Sequence, residues 1–150
     1  MDLAAALWGG IIGAIAAAVV YTGFLALRLT RLDALRFEGG MLLHERTNMV
    51  YIYGAVLQVV LGALLALGYR QVLQQIHSAT YVGWGALLGL AQGMLVLLLL
   101  PLFGLVNRNV RAGDEARPRL AGVAYGRFTP VAVLVASVVF GTWVGLVLLP

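Results

Sequence analysis

The residue types that most often bind metals or transfer protons are scarce in this chain. It has two histidines, His44 and His77, six acidic residues and no cysteine, which excludes thiolate metal sites and thiol nucleophiles. The segment HERTN places His44 beside Glu45, but neighbouring residues on a helix project about 100° apart and do not converge on one ligand. We therefore expect no catalytic residue, no metal site and no cofactor, and the chain is not predicted to be an enzyme.

Two glutamines within long apolar runs are the strongest candidates for chemistry inside a membrane. Gln58 and Gln92 each occupy the middle of such a run, where an amide needs protein partners because hydrocarbon offers no hydrogen bonds. One interpretation is that each amide bonds a neighbouring helix, with the other glutamine, Tyr21 or Thr22 as partner. The other is that the two amides line a polar path or a pocket for a lipid headgroup. The sequence leaves both interpretations open.

Composition indicates that lipid surrounds most of these residues. Of the 150 residues, 62% are apolar and 11% are charged, compared with roughly 25% charged in ordinary soluble domains. The mean hydropathy is +0.97, and a water-soluble fold of this length could not bury so much apolar surface. We predict an all-α fold, a single membrane domain of four transmembrane helices. Uncharged runs long enough to span a bilayer cover 3–27, 47–69, 81–106 and 128–150.

The arginines predict how these helices are oriented. The net charge is +4, and all ten basic residues are arginines. Because basic loops stay on the cytoplasmic side, we expect the two arginine-rich loops in the cytoplasm and both termini outside, in a bacterial inner membrane. The arginines are also expected to contact anionic lipid headgroups, and no nucleic-acid partner is expected. The loop residues are Arg28, Arg31, Arg36 and Arg46 in the first loop and Arg108, Arg111, Arg117, Arg119 and Arg127 in the second.

The two arginine-rich loops differ in pattern. In the first, leucines and Phe37 alternate with arginines. This pattern indicates either a short interfacial helix that ends at Gly39 and Gly40 or simple topology anchors. The second loop, over 107–122, is polar and contains glycine and proline, so we expect it to be exposed.

Small residues recur every four positions along the predicted helices. The tryptophan and small residues that begin at Trp8 recur in the same spacing from Trp84. This recurrence indicates a duplicated hairpin, 1–70 and 81–150. Its two copies would be related by a pseudo-twofold axis along the membrane normal. Small residues let helix backbones approach closely in lipid. The stripes therefore pack the bundle internally or form the seam of a homo-oligomer. They comprise Gly9, Gly13 and Ala17 in the first helix, Gly85, Gly89 and Gly93 in the third, and Gly141 and Gly145 in the fourth.

Two segments of the second half carry a resemblance to known proteins. GWGALLGLAQGMLVLLLLPLFG and AYGRFTPVAVLVASVVFGTWVGL resemble a group of uncharacterised bacterial four-helix membrane proteins with glycine-rich helices. The shared features are a proline at the end of the third helix, Tyr-Gly and Thr-Pro before the fourth, and Gly-x-x-x-Gly near its end. Members often have histidines where this chain has Gln58, Gln92 and Ser137. A metal or proton role of those histidines therefore does not transfer to this chain, and the resemblance implies a fold more than an activity.

These observations favour a structural or accessory membrane protein that binds lipid or a partner and acts alone or as a homo-oligomer. The glycine stripes and the lack of charge in the predicted spans support this expectation, because ion-coupled carriers usually place an ionisable group in the membrane. The alternative is a small transporter or channel with Gln58 and Gln92 lining a polar path. A membrane enzyme is least favoured, because LHERTN has no second cluster of arginine, glutamate and asparagine to match it.

Overall fold

The computed structural model describes residues 2–44, 48–76 and 80–148, which form helices and connecting segments without a strand. Four helices are long and apolar enough to cross a membrane. The all-α, four-helix prediction is therefore confirmed, and the protein is a multi-pass membrane protein. In chain order the helices are α1 (Leu3–Ala26), α2 (Ala34–Leu42), α3 (Met49–Gln75), α4 (Tyr81–Val106), α5 (Arg108–Ala112) and α6 (Thr129–Val147), with a 3-10 helix at Leu120–Tyr125.

The four predicted runs coincide with the long helices α1, α3, α4 and α6. The largest difference is at the end of α3, which continues to Gln75 and so includes Arg70. A long arginine side chain near a helix end can reach the membrane surface, which makes the extra turns tolerable. Pro101, which the sequence places near the end of its span, lies inside α4, and that helix continues to Val106.

The long helices pack as neighbours in the order α3, α1, α6, α4. α4 lies along α6, α6 along α1 and α1 along α3, whereas α3 and α4 contact each other only slightly. A core that includes Ala6, Ala14, Ala66, Phe140 and Val144 lies between these helices. The pairing of α1 with α3 and of α4 with α6 is the arrangement expected of two hairpins, and the internal repeat itself stays a prediction.

The contact between α4 and α6 is backbone against backbone. A Cβ added at Gly85 or at Gly141 would collide with the carbonyl oxygen of the other residue, and one at Gly89 would collide with that of Ser137. At Gly93 an added Cβ would lie 3.0 Å from Cβ of Ser137. Glycine allows this approach because it presents no side chain, and close packing of this kind is what associates helices in lipid.

The stripe on α1 also faces helices of the same chain. A Cβ added at Gly9 would lie 3.2 Å from Cβ of Val147, and one at Gly13 would lie 2.9 Å from Cδ2 of Phe140. Ala17 is buried as well. The predicted stripe positions on α1 therefore make contacts within one chain, and the same holds for Gly145, whose added Cβ would lie 2.5 Å from the carbonyl oxygen of Tyr81.

Alanine at Gly85 is expected to lower the free energy of unfolding by about 1–3 kcal/mol, because the added methyl group overpacks the α4–α6 contact. Gly83→Ala is the matched control on the same helix, since an added Cβ there meets nothing within 4 Å. Unfolding in mixed detergent micelles measures both variants. Equal stability of the two variants would contradict the backbone contact.

Candidate functional site

Gln58 joins α3 to α1. Its Nε2 donates to the carbonyl oxygen of Ala14 at 3.0 Å, and the residue is only 9% exposed. Its Oε1 is buried without a hydrogen-bond partner in the described parts of the chain. The amide is therefore bonded to a helix backbone on one side and unsatisfied on the other.

Gln92 joins α4 to α3. The hydroxyl of Tyr69 donates to Oε1 of Gln92 at 2.6 Å, at the boundary where these two helices otherwise touch little. The two glutamines thus bond different groups and do not bond each other. Neither expected partner is used: Tyr21 packs against both hydrophobic clusters of the core, and Thr22 lines an outer groove.

Aromatic side chains fill the centre of the bundle. Phe140 is 3% exposed, and its ring meets that of Tyr69 edge to face, with the centroids 5.5 Å apart. Gly13 of α1 and Gly62 of α3 both face the Phe140 ring, so the absence of their side chains makes room for it. Sequence reasoning missed this residue because an apolar side chain in an apolar run gives no signal of its position.

An apolar groove of about 460 Å³ lies between α1 and α3 and is open on one side. Ala14 and Gln58 lie at its inner end, and Gly23, Ala26 and Leu35 lie at the end nearer the arginine-rich loops. Gln58, the candidate polar residue, therefore lines an apolar groove on the outside of the bundle.

The segments 27–44 and 107–128, called the polar cap below, lie at the arginine-rich end of the helices. Asn107 connects its parts: its Oδ1 accepts from the backbone N–H groups of Asn109 and Val110 at 2.9 and 3.1 Å, and its Nδ2 donates to the carbonyl oxygen of Phe37 at 2.6 Å. Asn107 and Asn109 are 0% and 2% exposed. The expectation of an exposed loop fails at Asn107 and Asn109, because Asn107 caps the start of α5 and must be enclosed to reach α2. Residues 111–113, 116–117 and 119–120 of the same loop are exposed as expected.

The polar cap is also bonded to α6. The hydroxyl groups of Thr30 and Thr129 lie 2.7 Å apart and share a buried hydrogen bond. The backbone N–H of Arg31 donates to the carbonyl oxygen of Tyr125 at 2.7 Å. The first bond joins the segment after α1 to the start of α6, and the second joins it to the segment before α6. The two arginine-rich loops therefore form one structure.

The first arginine-rich loop contains a short helix, α2, which was one of the two alternatives predicted for it. The predicted end of that helix at Gly39 and Gly40 was wrong. α2 continues to Leu42, so Gly39 and Gly40 lie within it. A Cβ on Gly39 would collide with the carbonyl oxygen of Val50, and one on Gly54 would collide with that of Leu35. These glycines let α2 cross the start of α3 at very short range, and that packing requirement outweighs their tendency to end a helix.

A cavity of about 260 Å³ in the polar cap brings opposite charges together. Arg31, Asp33, Arg36 and Glu115 line it, and Nε of Arg36 lies 2.9 Å from Oε1 of Glu115. Burial raises the pKa of Glu115, and the Arg36 guanidinium opposes that rise while Asp33 adds to it. With two arginines and two carboxylates, the lining of this cavity has no net formal charge.

Glu38 is the most perturbed carboxyl group described in the cap. Burial raises its pKa from 4.5 to about 8, and its Oε2 has no hydrogen-bond partner within the described residues. The carboxyl lies within electrostatic range of Tyr21 at the end of α1. Burial therefore favours the protonated form of Glu38, an effect that the alternating pattern of its loop did not indicate.

The histidines and loop arginines singled out from the sequence do not converge on one site in the described part of the chain. His44 pairs with Asp114 at 3.1 Å, and among the described residues no group of three His, Cys, Asp or Glu side chains could hold a metal ion. Glu45, Arg46 and His77 lie outside the described residues. The other loop arginines are Arg28 just after α1, Arg108 and Arg111 on α5, Arg117 and Arg119 before the 3-10 helix, and Arg127 over the ring of Phe128.

Comparison of the chain with family models, with curated proteins and with solved structures gave no match. The resemblance of the second half to bacterial four-helix membrane proteins therefore stays a prediction.

The two glutamines are expected to respond differently to replacement by leucine. Gln58→Leu removes a buried, unsatisfied oxygen and leaves the Ala14 carbonyl within the hydrogen-bond ladder of α1, so the stability should hold or rise. Gln92→Leu leaves the buried Tyr69 hydroxyl without its acceptor and should cost about 1 kcal/mol. Unfolding in detergent measures both. Tyr69→Phe combined with Gln92→Leu should recover part of the loss, and no recovery would contradict the assigned bond.

Stability should fall as the pH rises from about 4.5 to about 8, because folded Glu38 keeps a proton that the unfolded chain releases in this range. Glu38→Gln should flatten this slope, as measured by thermal unfolding in a neutral detergent across the range. Glu115→Gln is the control for the other carboxyl group whose pKa is raised. An unchanged slope in Glu38→Gln would show that this carboxyl group titrates normally.

Proposed function

We propose that the protein is a non-catalytic structural or accessory bundle of a bacterial inner membrane that binds lipid or a partner from its outer surface. The observation that carries this proposal is the packed centre, where the Phe140 ring contacts Tyr69 and two glycine faces. A channel or carrier needs a route between its helices, and in this bundle an aromatic core occupies that region.

The polar groups of the membrane region support the same proposal. Gln58 bonds the Ala14 carbonyl and Gln92 bonds Tyr69, so each amide joins a pair of helices. Amides that bond helices in this way contribute to packing in a medium without water. The alternative of a transporter or channel would instead require both amides to face one continuous space.

The arginines support a lipid-binding orientation. In this proposal the arginine-rich loops face the cytoplasm, both termini lie outside, and guanidinium groups contact anionic headgroups. The polar cap offers charged side chains for such contacts, and Arg36 is half-buried in its ion pair with Glu115. The two loops would then act together, because hydrogen bonds join them across the cap.

Flux measurements in liposomes test this function. Vesicles that contain the wild-type protein are expected to release K⁺, protons and glycerol no faster than empty vesicles. The double variant Gln58→Leu, Gln92→Leu should behave identically if it is folded, as judged by circular dichroism. Flux through the wild-type protein that the double variant abolishes would contradict the proposal and support the channel or transporter.

A further inference from the structure

The groove between α1 and α3 covers only one half of the membrane. One end lies at Ala14 and Gln58, near the middle of the two helices. The other end lies at Ala26 and Leu35, beside the polar cap. Along α1 this distance is about 18 Å at 1.5 Å per residue. The hydrocarbon core of a bilayer is about 30 Å thick, so the groove matches the depth of a single leaflet.

The length of the groove decides between two kinds of occupant. A second transmembrane helix needs a complementary face across about 30 Å, whereas this groove ends at the Gln58 side chain. A lipid acyl chain runs from the membrane surface to the middle of the bilayer, which is the path that the groove follows. The walls present apolar side chains and an open position at Gly23, where an added Cβ meets nothing within 4 Å.

A basic residue follows in the chain at the end of the groove beside the polar cap. Arg28 comes two positions after Ala26, which lines the groove, and has a left-handed backbone, with φ of 57°. It is exposed and forms no ion pair with the described residues, whereas Arg36 is paired with Glu115. A guanidinium at this position can pair with the phosphate of a lipid whose chain lies in the groove.

We propose that the groove between α1 and α3 binds one acyl chain of an anionic phospholipid, with the lipid phosphate at Arg28. This inference rests on the proposed lipid-binding function and assigns it a site. Ala14, Gln58 and Val59 line the inner end of the groove, where the acyl chain terminates. The lipid belongs to the leaflet on the arginine-rich side.

Two glycines provide a matched pair of variants. Gly23→Leu places a side chain in the groove, and Gly68→Leu places the same side chain at another open helical position outside it. An added Cβ meets nothing within 4 Å at either site, so both variants are expected to fold. Any difference between them therefore reports on the groove and not on the loss of a helical glycine.

Native mass spectrometry of the detergent-solubilised full chain, titrated with phosphatidylglycerol or phosphatidylcholine, tests the proposal. Gly23→Leu should weaken binding of the first phosphatidylglycerol about tenfold, and Gly68→Leu should leave it unchanged. Arg28→Gln should weaken phosphatidylglycerol binding about fivefold with little effect on phosphatidylcholine, and added salt should reduce the difference between the two lipids.

Three outcomes would overturn the assignment. Equal lipid binding by Gly23→Leu and Gly68→Leu would place the lipid elsewhere. A dimer present in wild type and lost only in Gly23→Leu would identify a second copy as the occupant. Equal loss of both lipids in Arg28→Gln would remove its role in binding phosphate. None of these results depends on the flux assay, so the groove assignment and the broader structural function can fail separately.

Discussion

The fold depends on how closely helix backbones approach one another in lipid, where there is no hydrophobic driving force for helices to associate. Lipid chains are as apolar as leucine, so helix association must come from dense packing and hydrogen bonds. The contact of α4 with α6 meets this requirement through Gly85, Gly89 and Gly141, whose backbones touch the opposite helix. Glycines act in a second way around the Phe140 ring, where Gly13 of α1 and Gly62 of α3 leave room for it.

The polar cap needs side-chain hydrogen bonds, because short helices and connecting segments leave backbone N–H and C=O groups without partners. Asn107 resolves this at the end of α4 by accepting two N–H groups and donating to a third segment. The Thr30–Thr129 bond then joins the first loop to α6. The long helices therefore pack mainly where glycines bring backbones together, whereas the cap is joined by polar side chains with specific partners.

The sequence predicted the number and approximate limits of the membrane helices because uncharged runs of this length have few alternatives in water or lipid. It also identified Gln58 and Gln92 as bonded or path-lining groups, but it could not choose their partners, since Ala14 offers only a backbone carbonyl. Phe140 was unpredictable because its importance comes from the glycines opposite it. Burial of Glu38 and Asn107 depends on how two distant loops meet, and local pattern does not contain that information.

The slight contact between α3 and α4 gives the molecule an uneven mechanical character. In the described part of the chain, the Tyr69–Gln92 hydrogen bond joins two helices that share little packing, while the opposite side is held by glycine-to-backbone contacts over several turns. Separation of α3 from α4 would therefore break this hydrogen bond and little packing, whereas separation of α6 from α4 would uncover backbone along several turns of both helices.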